Sequence, residues 1–288
     1  MEFFIHLLIL SGFVAILGIS LNLVVGYTGL LSIAHAAFYG IGAYTTAILT
    51  TRFGFGFFPS VAAGMAVGSA VAFLLGLVLS KFRDDYYALV SVGFSVIMYA
   101  LFLNVDELTR GPLGIAGIPK PSLGGISFQP LGWFLLLTLG LLAVVYAAAY
   151  WITRSSFGRV LQAIREDEQA IQVFGYNTWA YKLVVFCIAA AFAAVAGSLY
   201  AGYINFVDPT PFRLFISVFL LAVVILGGLA SLPGSLIGAI FLITLPELLR
   251  FAGFPQDVAA QLRQFIYGLL LVLLMLYRPQ GILGKFKL

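Results

Sequence analysis

The chain reads as long apolar runs separated by short polar breaks. The runs lie near 3–25, 30–50, 58–80, 87–103, 131–152, 183–204, 214–228, 232–249 and 264–277. Most hold close to the ~20 residues that an α-helix needs to cross a hydrocarbon core of about 30 Å. They are solid runs, whereas a membrane barrel would show short segments in which apolar and polar residues alternate. The pattern predicts an all-α, polytopic transmembrane helix bundle of about nine spans, with residues 1–288 forming a single domain. The run at 214–228 is short and ends in glycine, so a re-entrant segment is the alternative there.

Two stretches break the pattern. Residues 104–130 carry Asp106, Glu107, Arg110, four prolines and five glycines, which predicts an irregular loop. Residues 153–182 form the longest charged segment, with Arg154, Arg159, Arg165, Glu166, Asp167, Glu168 and Lys182. Within it, Phe157, Val160, Leu161, Ile164, Ile171 and Phe174 recur at helical spacing. A short amphipathic helix or helix-turn-helix is expected, with Gly175 as its stop.

Composition excludes a water-soluble domain. Hydrophobic residues make up 62% and charged residues 9%, against about 25% charged in soluble proteins. The net charge of +4 sits between the apolar runs, so it speaks of membrane orientation, and no nucleic-acid partner is expected. With the C-terminus in the cytoplasm and the N-terminus outside, nine basic residues fall inside (Lys81, Arg83, Arg154, Arg159, Arg165, Lys182, Arg278, Lys285 and Lys287). Six fall outside (Arg52, Arg110, Lys120, Arg213, Arg250 and Arg263). Loop 104–130 is then extracytoplasmic and 153–182 cytoplasmic. A re-entrant 214–228 would weaken the bias to eight against seven, so nine spans are kept. The N-terminus lacks a basic region and a clear cleavage site, so 3–25 is read as a retained span. Cys187, the one cysteine, lies in an apolar run and can form no disulfide within the chain. Gly64, Gly68 and Gly76, with Ala72 between them, are spaced for close approach of helix backbones.

Catalytic chemistry finds little support. No phosphate-binding loop, His-Glu-x-x-His, Gly-x-Ser-x-Gly or Cys-x-x-Cys occurs. His6 and His35 are far apart, and no metal site is expected. Glu247 is the best intramembrane carboxylate, but beside Pro246 and Arg250 it reads as part of a helix-end ion pair. Proton- and ion-coupled carriers commonly bury charge in their spans; here almost none is buried, so energy for transport would come from a partner. A stand-alone carrier or channel and a membrane-embedded enzyme are the rival readings. The segment 153–182 could be a lipid-surface helix, a solvated connector or a helix that docks on a protein. The acidic run Glu166–Glu168 disfavours the lipid surface, and the other two stay open on physical grounds.

Four blocks then carry a resemblance. They are Asn22–Tyr44 (NLVVGYTGLLSIAHAAFYGIGAY), Gly158–Lys182 (GRVLQAIREDEQAIQVFGYNTWAYK), Ala222–Gly238 with LGGLASLPG at 226–234, and Arg278–Leu283 (RPQGIL). In this order they resemble permease subunits of branched-chain amino acid ABC importers of the LivM-like type, over nearly the whole chain. The resemblance implies an importer for branched-chain or related amino acids, with urea or short amides as the alternative within the family. It implies a second related permease, two ATPase subunits, an extracytoplasmic solute-binding protein and residence in the bilayer of the inner membrane. No cofactor is expected on this chain, and ATP with Mg would sit on the ATPase partners. The segment 158–175 would be the coupling helix, with Gly158, Arg159, Ala163, Arg165, Glu166, Glu168, Ala170 and Gly175 as its coupling residues. Glu168, Ala170 and Gly175 come nearest to the general Glu-Ala-Ala…Gly pattern, at a spacing one residue longer. Charge reversal at Arg165 or Glu166 is expected to weaken ATPase association.

An internal echo pairs Gly29-Leu-Leu-Ser32 with Gly228-Leu-Ala-Ser231, each followed by Ile-Gly-Ala. Read as an inverted repeat with glycine-interrupted helices, it places Gly29, Ser32, Gly42, Tyr44, Gly227, Gly228 and Ser231 on a translocation path. The alternative is that these glycines serve only turns and packing.

Overall fold

The computed structural model describes residues 2–79, 85–123, 126–251, 268, 269, 272, 273 and 281–284. Its helices are α1 (Glu2–Thr28), α2 (His35–Arg52), α3 (Phe57–Leu79), α4 (Asp85–Asn104), α5 (Asp106–Thr109), α6 (Leu131–Arg154), α7 (Ser156–Glu166), α8 (Glu168–Val173), α9 (Thr178–Ile204), α10 (Leu214–Gly227) and α11 (Leu232–Phe251). The loop between α4 and α6 carries three strands of two residues each, β1 (Ile115–Ala116), β2 (Ser122–Leu123) and β3 (Ile126–Ser127). β4 (Phe206–Val207) pairs antiparallel with β1, and β2 with β3. The expected irregular loop is therefore partly tied down, with its β1 fixed to the end of α9.

The span count departs from expectation. Five helices (α1, α3, α4, α6 and α9) are long and apolar enough to cross a membrane, or six spans if α10 and α11 count as one broken span. Three features account for the difference from nine. The run at 264–277 lies outside the described residues apart from 268, 269, 272 and 273. α10 has 14 residues and reaches only about 21 Å at 1.5 Å per residue; α11 then departs at a bend of 120°. α2 begins at His35, later than the apolar run suggested, and is too polar to face lipid. It is instead wrapped by α9, α3, α4 and α10. Lys81, Arg83, Arg263, Arg278, Lys285, Lys287 and the side chain of Arg250 also lie outside the described residues.

Burial sorts the helices into two shells. In α1 and α9, 83% and 78% of the most apolar stretch is buried inside the chain, against 33%, 28% and 22% in α3, α4 and α6. Small residues make the inner shell possible. A Cβ on Gly42 would lie 2.1 Å from the Ala194 carbonyl oxygen, and one on Gly197 2.0 Å from that of Tyr39. α2 and α9 therefore touch backbone to backbone, as helices in lipid do when packing replaces the hydrophobic drive. Gly64, Gly68, Ala72 and Gly76 form the buried stripe of α3, and all three glycines meet α9 residues, as their spacing suggested.

Candidate functional site

The charged segment folds as two helices, the helix-turn-helix of the two expected forms. Ser155 caps α7, accepting from the Gly158 amide (3.4 Å), and Asp167 caps α8, accepting from the Ala170 amide (3.0 Å). An N-cap at Asp167 takes extended backbone, so the single apolar face expected over 157–174 is broken there. Leu161 and Ile164 turn into the bundle, while Val173 and Phe174 stand 87% and 77% exposed. Gly175, at φ +86°, ends α8, and Tyr176 and Trp179 extend the exposed apolar tip. Glu168 ion-pairs with Lys182 and accepts from Thr178 Oγ1 (2.9 Å), bracing α8 on α9. Both partners are partly exposed, so the ion pair contributes only about 0.2–1 kcal/mol. Lys182→Met is accordingly expected to lower the unfolding midpoint by no more than a few degrees, readable by thermal unfolding in detergent.

The other expected coupling residues divide by position. Arg159 is exposed and donates to Ser156 Oγ (3.1 Å), and Glu166 is exposed. Ala163 and Ala170 are half-buried, and Gly158 is buried against the end of α6. Arg165 points away from the tip. Its guanidinium donates to the Gly26 carbonyl of α1, and its stem packs on Gly29, where a Cβ would lie 3.1 Å from Arg165 Cγ. Burial pulls the Arg165 pKa down and Glu166 opposes the shift; an arginine still stays charged at neutral pH.

One turn deeper, α1 meets the elbow between α10 and α11. Asn22, fully buried, donates through Nδ2 to the Ser231 carbonyl (3.0 Å) and Ser235 Oγ (2.7 Å) and accepts at Oδ1 from the Ala230 amide (2.9 Å). Gly26 leaves room for this: a Cβ there would lie 1.8 Å from Asn22 Oδ1 and 2.6 Å from the Ala230 nitrogen. Gly228 and Ala230 have φ of +118° and +56°, so the elbow is a strained turn held by its neighbours. From the other side, the Ile282 and Leu283 amides donate to the Leu226 and Gly227 carbonyls (2.9 and 3.0 Å). These are carbonyls that the end of α10 leaves without helical partners. Gly281, at φ +72°, sits where a Cβ would lie 2.4 Å from the Ile225 carbonyl oxygen.

Beside the elbow lies a second irregular stretch. Residues 29–34 leave α1 without helical structure, and the backbone is held by hydroxyls from α4 and α10. Ser91 Oγ accepts from the Ile33 amide (2.9 Å), Ser95 Oγ donates to the Ile33 carbonyl (2.6 Å), and Ser217 Oγ accepts from the Ala36 amide (3.0 Å). His35 follows, fully buried, with the Ser20 backbone as the hydrogen-bond partner of its ring.

The residues expected on a path therefore separate. Gly29, Gly227, Gly228 and Ser231 gather at the α7 end of the bundle, with Ser32 buried just beyond Gly29. Gly42 is a packing glycine against α9, and Tyr44 stacks on Phe102 at 4.8 Å. Both echoed Gly–Ser turns follow helices that end toward α7, so the echo joins two turns on one side of the bundle, where an inverted repeat would set them on opposite sides. Sequence reasoning missed Asn22 and the 281–284 cap. A lone asparagine deep in an apolar run was the available signal for Asn22; Gly281 within the fourth block was the signal for the cap.

A family profile described as branched-chain amino acid transport system / permease component matches residues 3–275. The high-affinity branched-chain amino acid transport system permease protein LivM of Escherichia coli is 38% identical, over 93% of this chain and 67% of its own length. BraD of Pseudomonas aeruginosa, a permease protein of a system of the same description, is 29% identical over 94% of this chain and 91% of its own. LivH of Escherichia coli, another such permease protein, is 27% identical over the same shares. No solved structure matches.

Proposed function

The chain belongs to the branched-chain amino acid transport system permease family, and on that premise we propose that it is a transmembrane subunit of an ATP-binding cassette importer for branched-chain or related amino acids. It would lie in the cytoplasmic membrane with α7 and α8 inside, the N-terminus outside and the C-terminus inside. Its partners would be a second permease related to it, two ATPase subunits carrying ATP and Mg, and an extracytoplasmic binding protein that brings the substrate. The chain itself would hydrolyse nothing. Likeness to both LivM and LivH supports a pair of related permeases.

The observation that carries this reading is the division of labour in 156–176. An apolar tip at Val173, Phe174 and Tyr176 projects where nothing among the described residues covers it, which suits a groove on another protein. A few residues earlier, Arg165 grips the end of α1. The tip would seat in the ATPase, and Arg165 would pass its displacement into the bundle as a rigid-body shift.

Two substitutions separate these roles. Phe174→Asp is expected to cut co-purification of the ATPase subunits about tenfold, the loss of one buried aromatic anchor, with membrane insertion unchanged. Arg165→Glu faces α1 and not the partner, so it is expected to leave the ATPase bound while uptake falls. Glu166→Lys, on the exposed surface, should act on association. The test is to co-express the chain with its genomic neighbours, purify in mild detergent and identify what is retained. A chain that purifies alone and moves solute without ATP would overturn the importer reading.

A further inference from the structure

α8 leaves a cavity where it meets α9. The space is about 110 Å³ and is bounded by α8, the start of α9, the end of α3, α4 and the stretch after α1. Its lining is divided by chemistry. Glu168 and Lys182, the ion pair that braces α8, line it with side chains 31% and 21% exposed. Phe186, one helical turn past Lys182, and Leu79 line it as well and are almost fully buried. Leu30 and Leu183 add to the apolar part. The charges therefore stand toward water and the apolar walls toward the bundle. The pair also limits what can enter. An anion that took Lys182 would leave Glu168 without its cation, and a cation on Glu168 would strand Lys182; breaking a partly buried pair in either way is costly. An occupant that carries both charges replaces both partners at once. Its depth fits an aliphatic group: an engineered apolar cavity of about 150 Å³ holds benzene, and a branched aliphatic side chain such as isobutyl is smaller.

We propose that this cavity is a feedback site for a free aliphatic α-amino acid, entering from the side of the membrane where α8 lies. The inference rests on the amino acid importer reading above, which makes such a molecule the product released on that side. Its carboxylate would take Lys182 Nζ and its ammonium group Glu168, while the side chain lies among Leu30, Leu79, Leu183 and Phe186. Thr178 Oγ1 already donates to Glu168 Oε1 (2.9 Å) and holds that carboxylate in place during the exchange. A bound amino acid parts Glu168 from Lys182 and so removes the brace that sets α8 on α9. α8 leads directly into the exposed tip at Val173 and Phe174, so the seat offered to the ATPase would shift. Accumulated product would thus slow further import.

The test uses the whole importer, this chain with its partner permease and ATPases, in liposomes with α8 facing the lumen. ATP is enclosed, and binding protein loaded with labelled leucine is added outside. Enclosing millimolar unlabelled leucine is expected to slow the initial rate of uptake at least about fivefold. Leucinamide, which lacks the carboxylate, and isocaproate, which lacks the ammonium group, should not slow it; inhibition by either would overturn recognition of both charges. Each variant is compared with its own rate without enclosed leucine. Lys182→Met is expected to raise the leucine needed for half-inhibition about tenfold, the loss of one charged hydrogen bond, and Lys182→Arg to restore most of it. Leu30→Phe fills the cavity and leaves the ion pair, so it should abolish the inhibition, which a purely structural brace would not predict. Enclosed photo-leucine, irradiated, should label this chain beside Leu30, Leu79 or Phe186, as read by mass spectrometry; labelling confined to other places overturns the proposal. Uptake that ignores enclosed leucine also overturns it. Liposomes that take up no leucine from the loaded binding protein overturn the importer reading, which is a different outcome. If Lys182→Met does not assemble, Leu30→Phe and the photolabel decide.

Discussion

Gly42→Ala and Gly197→Ala are each expected to leave almost no folded protein in the membrane. The added methyl would sit 2.1 Å from the Ala194 oxygen in the first case and 2.0 Å from the Tyr39 oxygen in the second. These obstacles are backbone and cannot rotate away. Relief requires α2 and α9 to separate along an interface where Tyr39, Ala43, Ala190, Ala193 and Ala194 are now enclosed. Overpacking in a tight core typically costs about 1–3 kcal/mol, and more where the neighbour is rigid; both variants fall in the severe class. Gly93→Ala is the control, since a Cβ there meets nothing within 4 Å and the change replaces a poor helix former. Monodispersity on size exclusion in mild detergent reads the outcome. Full recovery of Gly42→Ala would show that α2 and α9 do not lie in backbone contact.

Asn22→Leu is expected to separate ATP hydrolysis from transport. The substitution keeps bulk but removes the acceptor of the Ala230 amide and the donor to the Ser231 carbonyl and Ser235. Interhelical hydrogen bonds in lipid average only about 0.6 kcal/mol each. Here the Ala230 amide of a positive-φ turn is orphaned, while the Ser231 carbonyl keeps the Ser235 amide, so the loss centres on about 1–3 kcal/mol. That is enough to let the elbow leave its place against α1. Uptake should fall by more than tenfold, and the part of ATP hydrolysis that responds to loaded binding protein should fall with it. Asn22→Asp keeps an acceptor for Ala230 and loses the donor, so it should fall between the two. Uptake and stimulation that stay at wild-type levels in Asn22→Leu would show that the elbow does not depend on this tie.

The apolar runs and the charged segment were legible because hydropathy and helical spacing act locally. Apart from residues 30–34, the described residues of the apolar runs are almost all helical, and the glycine stripe of α3 faces a neighbour as its spacing required. Membership of the permease family was also legible, in four blocks of residues met in order. Other features depended on distance in the chain. α2 reads as a span by its run but sits inside the bundle, because α9 and α3 take the place of lipid around it. α10 and α11 read as two crossings, yet bend by 120° at Gly228, a turn held by Asn22 some 200 residues away and by the amides of Ile282 and Leu283. Of the two forms expected for the charged segment, one helix or a helix-turn-helix, the Asp167 carboxylate selects the second, because it caps α8 rather than continuing α7. Sequence alone determined that the chain forms helices in a membrane, and where the charge lies between them. The tertiary structure decided which glycines touch backbone, which way Arg165 points, and that His35 stands at a helix start inside the bundle. Those outcomes follow from contacts between residues far apart in the chain, which no local pattern specifies.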